Sequence, residues 1–203
     1  MDGRTFLESE PQGSSWKGGT AIHPHTSPVT DCAVSLLQSR GVDLKDIARL
    51  VKALQAPYDP TLTLKECLRS AEEVCKKREV QYAIITGIVL DQMAEKGSLD
   101  EPLQGIVLEN NPLYGVDKVL ALTIVNVYGS IGFSNFGYLG TEKPGFLARI
   151  ANSGGQVNTF LDDILAAIVA ATCARIAHRA KEKESGNENA AVHDSTPGTV
   201  PEG

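Results

Sequence analysis

The stretch TFLDDILAAIVAATCA, residues 159–174, decides the fold. From Ile164 to Ala174 it is apolar on every side, and alanine dominates it. An amphipathic surface helix keeps one polar face, so a helix without one belongs in the middle of a bundle. Alanine at so many positions lets neighbouring helices approach closely. The run is eleven residues long, short of the ~20 that cross a bilayer. It therefore reads as a core helix, and an ordinary transmembrane helix is not expected.

Working outward, the helices that would surround it are visible. Val34, Leu36 and Leu37 precede Gly41, a stop signal. Asp43 can cap a helix carrying Leu44, Ile47, Leu50, Val51 and Leu54, which ends before Pro57. Thr63-Leu-Lys-Glu66 is a capping box and opens a helix through Leu68, Ala71 and Cys75. Another helix runs from about Glu79 to Lys96, and a short amphipathic piece covers Leu103 to Leu108. Asp117 to Tyr128 is a further helix, apolar on every side between Val119 and Val127 save for Thr123 and Asn126, and it too should lie in the middle of the bundle. Thr159-Phe-Leu-Asp162 resembles a capping start for the core helix, which should run to about Lys183. Strand signals are few. The expectation is an all-α domain, one compact bundle of six or seven helices over residues 29–180.

Composition agrees with a globular body between two polar tails. The 203 residues are 42% hydrophobic and 22% charged, with a net charge of −6. Residues 1–28, rich in Gly, Ser, Pro and Thr, read as a disordered arm. Residues 181–203 read as a disordered acidic tail. Much of the negative charge lies in these tails, so the body is nearly neutral and tolerates an anionic partner. No basic surface suits nucleic acid. The start lacks the apolar core of a signal peptide, and the four scattered cysteines form no CxxC pair. Both point to a reduced, cytoplasmic setting.

Three acids break apolar stripes. Asp91 continues the line Val80, Ile84, Gly87 and Ile88, where an apolar residue is expected. A carboxylate there must find a cation or meet a large desolvation cost. Asp162 and Asp163 stand at the mouth of the core helix, where helix-dipole complementation is the plainer explanation. Clustered carboxylates with few nearby bases suggest a divalent cation, and all-oxygen ligation suits Mg²⁺. The connector YGSIGFSNFGYLGTEKPGFLARIANSGGQVNT, residues 128–159, holds seven glycines. It reads as a loop whose Gly129, Ser130, Gly132 and Asn135, with Lys143, could cradle an anion; a plain structural loop is the alternative. No Walker motif or nucleophile elbow occurs.

The segments REVQYAIITGIVLDQ at 78–92, NPLYGVDKVLALTIVNVYGSIGFSNFGYLGTEKPG at 111–145 and NTFLDDILAAIVAA at 158–171 resemble the phosphatidylglycerophosphatase A family. The likeness is to its soluble all-helical branch, which includes low-temperature-requirement C proteins, and it covers most of residues 40–180. It implies a Mg²⁺-dependent phosphatase acting on phosphatidylglycerophosphate. Matched to the family's motifs, Asp91 stands for the Asp of an Asp-Glu pair, Lys143-Pro144 for a Lys-Pro, and Asp162-Asp163 for an Asp-Asp. Gln92, Gly140 and Ala166-Ala167 depart from the pattern. The resemblance implies Asp91, Asp162 and Asp163 as metal ligands, with Asp163 and Lys143 catalytic. A phospholipid or a small phosphate ester would be the substrate. Phe133, Phe136, Tyr138 and Phe146 are candidates for peripheral membrane contact or for core packing, and a homo-oligomer is open. The competing expectation is a helical metal-binding or interaction protein that kept the fold without turnover.

Overall fold

The computed structural model describes residues 27–111 and 113–193. Among them there is no strand, and the expected all-α bundle is what the chain forms. The helices are α1 (Ser27–Ser39), α2 (Leu44–Gln55), α3 (Leu64–Cys75), α4 (Arg78–Glu95) and α5 (Leu103–Leu108). They continue with α6 (Val116–Val125), α7 (Gly129–Glu142), α8 (Phe146–Ala151) and α9 (Leu161–His193).

Local signals account for most of these boundaries. The Asp43 carboxylate accepts the Lys45 N–H, and Asp46 reaches back to the Asp43 N–H. Thr63 and Glu66 exchange the same reciprocal bonds at the start of α3. Each such cap is worth ~1 kcal/mol. Gly41 and Gly97 end the helices before them in left-handed conformations.

The core helix is α9. It packs against α2, α3, α4, α6, α7 and α8, and Ile164 to Ala174 is buried throughout. Phe160, Leu161, Ile164, Leu165 and Ile168 are among the largest fully buried side chains. Each contributes ~1.5–3 kcal/mol by leaving water. Gly87 on α4 lets that helix press onto α9: a Cβ there would meet Ile164 Cδ1 at 2.3 Å.

Three expectations are corrected, the first being a central place for α6, whose Val116 and Val119 are exposed, as is Val127 just after it, because one of its sides faces away from α9. The glycine-rich connector is not a loop, because residues 129–142 and 146–151 form α7 and α8. Gly132 and Leu139 supply α7 with a buried stripe against the bundle, and tertiary packing overrides the weak helix propensity of its glycines. The C-terminal segment expected to be disordered is helical as far as His193, a direct continuation of α9. The expected arm at 1–28 lies outside the described residues except for its end, where Ser27 begins α1.

Val116–Glu142 forms one apolar helical stretch of 27 residues, long enough by length and composition to cross a membrane. Here α6 and α7 both pack on α9, and Gly129, at φ 66° and ψ −154°, breaks the run between them. Each helix is then shorter than the ~20 residues a span needs.

Candidate active site

The site is organised by the turn at residues 157–161, which launches α9. Four other segments hold it. The Arg40 guanidinium donates to Asn158 Oδ1 at 3.0 Å, to the Val157 carbonyl and to Glu95 at 2.8 Å. Glu95 also accepts the Val157 N–H at 2.8 Å. Asn158 donates to the Ile150 carbonyl and to Ser153 Oγ. The Thr159 hydroxyl donates to the Val107 carbonyl at 2.7 Å. Thr159 is therefore not the helix cap that its sequence position suggested.

Asp91 is the cap. Its carboxylate, 0% exposed on α4, accepts the Phe160 N–H at 3.1 Å and the Leu161 N–H at 3.0 Å, one on each oxygen. Those amides are two of the orphan donors that any helix start leaves. The buried acid has found backbone amides where a metal ion was expected. Desolvation nevertheless dominates and pushes its carboxyl up to about 7, against the pull of the two amides and of Arg40.

One residue into α9, Asp162 accepts from the Lys143 ammonium group. Lys143 follows the last residue of α7 and is left-handed, with φ 42° and ψ 55°. Among the described residues only Asn110, at φ 49°, is another non-glycine with positive φ. Both line one cleft of ≈ 190 Å³, together with Asp162, Asn158, Thr159, Gln156 and Leu108. Backbone conformations that cost ~1–3 kcal/mol collect where a site is held in shape.

The next residue, Asp163, points about 100° further round the helix. Burial pushes its carboxyl up to about 6; the negative charges of Asp117 and Asp162 push the same way, and Lys118 and Lys143 oppose them. Asp117 is the residue that sequence reasoning missed. It is 7% exposed in the first turn of α6, and its carboxylate accepts the Lys118 N–H at 2.8 Å. Beside it, Tyr114 meets Phe160 edge-on, with ring centroids 5.8 Å apart. Asp117 read as an ordinary N-terminal acid; the signal available was that it opened a helix apolar on most sides.

The expected constellation is thus partly reassembled. Lys143 and Asp162 come together, and Asp163 feels the negative charge of Asp117. Asp91 lies against the same helix start, but both of its oxygens are taken by amides. Among the described residues no three acid, His or Cys side chains are grouped to hold a metal ion, so the three-carboxylate cage of Asp91, Asp162 and Asp163 is not formed. Gly129, Ser130, Gly132 and Asn135 do not join Lys143 either. Gly129, Ser130 and Gly132 occupy the opposite end of α7 and Asn135 its middle, and Gly129 is ~21 Å from Lys143 by helix rise. Phe133 and Tyr138 are exposed, Phe136 and Phe146 are half-buried, and none of them lines the cleft.

A helical bundle whose acids and one lysine converge on the start of its central helix defines the class. The particular family follows from comparison with known proteins. The model of phosphatidylglycerophosphatase A matches residues 37–178, and the chain belongs to that family. It is 54% identical over 149 residues to the uncharacterized protein YutG of Bacillus subtilis (strain 168), covering 73% of this chain and 90% of that protein. The low temperature requirement C protein of Listeria monocytogenes has a similar crystal structure, at TM-score 0.74 and 52% identity, covering 77% of this chain and 99% of that one. A protein of unknown function from Bacillus stearothermophilus is similar at TM-score 0.72 and 55% identity, covering 74% and 94%.

Proposed function

We propose that the protein is a Mg²⁺-dependent phosphatase that removes the terminal phosphate of phosphatidylglycerophosphate, working in the cytoplasm at the inner face of the membrane. The observation that carries this reading is the ion pair of Lys143 with Asp162 in the cleft at the start of α9, with the mostly buried Asp163 next in the helix. Membership of the phosphatidylglycerophosphatase A family supports phosphate-ester hydrolysis.

The donor set fits the ion. Burial first, and then the negative charges of Asp117 and Asp162, raise the Asp163 carboxyl, and a cation beside it would offset that repulsion. Mg²⁺ typically takes one or two carboxylates and completes its shell with water and substrate phosphate. Asp117 and Asp163 would hold it, and when bound it would polarise the phosphoryl oxygen and lower the pKa of water.

The chain's own residues do the rest. Lys143, fixed by Asp162 at the cleft rim, offsets charge on the phosphoryl oxygens. Asn110, Gln156 and Asn158 line the same cleft with amide groups. A volume of ≈ 190 Å³ is below the ~300–1,000 Å³ of a pocket that encloses a whole small ligand. A headgroup phosphate fits it, and acyl chains stay outside. Leu108 on the rim, 52% exposed, offers those chains an apolar border. Asp91 keeps the α9 start in place and touches no substrate.

The test is phosphate release from phosphatidylglycerophosphate in mixed micelles, with and without Mg²⁺, beside small phosphate esters. Turnover of the lipid that needs Mg²⁺ and is lost in Asp163→Asn is expected. Turnover only of soluble esters would remove the lipid from the proposal. The absence of a three-acid cluster among the described residues favours the second reading, a fold kept without turnover. Release at the uncatalysed rate from every ester, by a folded protein, would establish that reading instead.

A further inference from the structure

A second cleft, of ≈ 360 Å³, lies between α3 and the later turns of α9. Ile176 on its wall is fourteen positions along α9 from Asp162, ~21 Å by helix rise. Glu66, Arg69 and Ser70 line the cleft from α3, and Ile176, Arg179 and Ala180 line it from α9. Each trio has the i, i+3, i+4 spacing of neighbours on one helix face, so two helix faces are turned toward one space.

The polar groups of this cleft divide into engaged acids and unengaged donors. Glu66 accepts from the Thr63 N–H and hydroxyl at 2.9 and 2.6 Å. Asp59, also on the wall, accepts from the Thr61 N–H and hydroxyl at 3.0 and 2.6 Å. Both acids thus hold the turns that lead into α3. Arg69 and Arg179, by contrast, have no hydrogen-bond or ion-pair partner among the described residues. Ser70 is the telling residue. It is 3% exposed, yet its hydroxyl has no hydrogen-bond partner among the described residues, and it lines the cleft. A serine inside a helix commonly bonds the carbonyl four positions back, and this one does not. A buried hydroxyl without a partner is unfavourable beside an alanine of the same shape, so the fold offers no return for it. An acceptor atom placed in the cleft does.

We propose that this cleft is a second binding site and takes a small amphiphilic anion, one phosphate- or carboxylate-type group on a compact apolar body. The oxyanion accepts from the Ser70 hydroxyl and from the guanidinium groups of Arg69 and Arg179, which supply the stronger, charge-assisted kind of bond. The apolar body lies against Leu62 and Ile176. The volume, ≈ 360 Å³, is within the ~300–1,000 Å³ of pockets that enclose a small ligand. Asp59 and Glu66 repel further negative charge, so the cleft accommodates one anionic group and disfavours an extended polyanion. The proposal uses no residue of the candidate active site and stands apart from the catalytic reading.

The probe is phenylphosphonate, a non-hydrolysable oxyanion on a ring. It is titrated by calorimetry into the full chain carrying Lys143→Gln, without Mg²⁺, so that the active-site cleft does not contribute. One site per chain is expected, at least about tenfold tighter than for inorganic phosphate, because the ring leaves water. In the same background Arg69→Gln and Arg179→Gln should each weaken binding at least about tenfold, and Ser70→Ala about fivefold. Ser70→Ala without the probe should melt at the same temperature or higher, since its hydroxyl has no partner in the fold. A lower Tm would show that the hydroxyl serves the fold and would overturn the proposal. So would no saturable binding up to about 10 mM, or binding indifferent to both arginine variants. Equal affinity for phenylphosphonate and inorganic phosphate would overturn the assignment to an amphiphile.

Discussion

The start of α9 and the outward face of α7 satisfy their polar groups in opposite ways. Around the start of α9, the partners come from far along the chain. Arg40 reaches Asn158 across 118 positions and Asp91 reaches Leu161 across 70. On the outward face, Ser134 and Thr141 bond to carbonyls four positions back on their own helix. Long-range satisfaction fixes a geometry, because each bond constrains two elements at once. Local satisfaction only hides polarity and constrains no second element. The first pattern belongs to a built site and the second to a passive surface.

The comparison breaks if residues in both regions matter equally to chemistry. Asp117→Asn should cut phosphate release by about 10³-fold with no loss of helical signal. Glu142→Gln, beside Lys143 in sequence yet exposed, should stay within about twofold. A wild-type rate in Asp117→Asn would show that its charge on Asp163 is incidental.

Stability should divide along the same line. Asp91→Ala leaves two buried amides without acceptors, at about 1–3 kcal/mol each. A loss of about 3 kcal/mol lowers Tm by roughly 10 °C for a domain of this size. Gly87→Ala, forced against Ile164 and Phe160, should cost about 1–3 kcal/mol. Ser134→Ala should fall within about 0.5 kcal/mol. Asp91 also has a pH signature. Its folded value, about 7, is above the ordinary 3.8. Its proton-linked contribution is therefore fully present below about 3.8 and is lost as pH rises through about 7. Asp91→Asn keeps one acceptor and removes that slope, so its Tm should vary less with pH than the wild type's between about 4 and 7. Parallel profiles would mean that Asp91 does not titrate there.

How much of this could be read from the residues depended on the range of the interaction. The caps at Asp43 and Thr63 are local and were legible, as was the burial of Ile164 to Ala174. Asp91 was legible as an anomaly, but not in its partner. A side chain capping a helix seventy residues away leaves no spacing to detect, and a metal was the natural guess. Asp117 escaped for the converse reason, since an acid in a first turn is ordinary until another acid is seen to feel its charge. The glycines of α7 misled because propensity is a local property, whereas Gly132 is set by its contact with Val125.

A smaller effect sharpens the site side. Asp163 has its carboxyl pushed up to about 6, so its ionised fraction climbs from about one tenth to about nine tenths between pH 5 and 7. A cation bound there competes with that proton. The Mg²⁺ dissociation constant, read from thermal-shift titrations, should fall about tenfold over that interval, and Asp163→Asn should abolish the trend. A constant affinity across it would place the ion elsewhere.

The smallest effect tests the other face. Gly137→Ala meets no atom of its own chain and removes a helix-interior glycine. Its unfolding should show a gain of about 0.5–1 kcal/mol. A glycine needed for contacts within the chain would lose stability instead, as Gly87→Ala should. Reduced stability in Gly137→Ala would return Gly137 to the class of Gly87 and erase the distinction between the two faces.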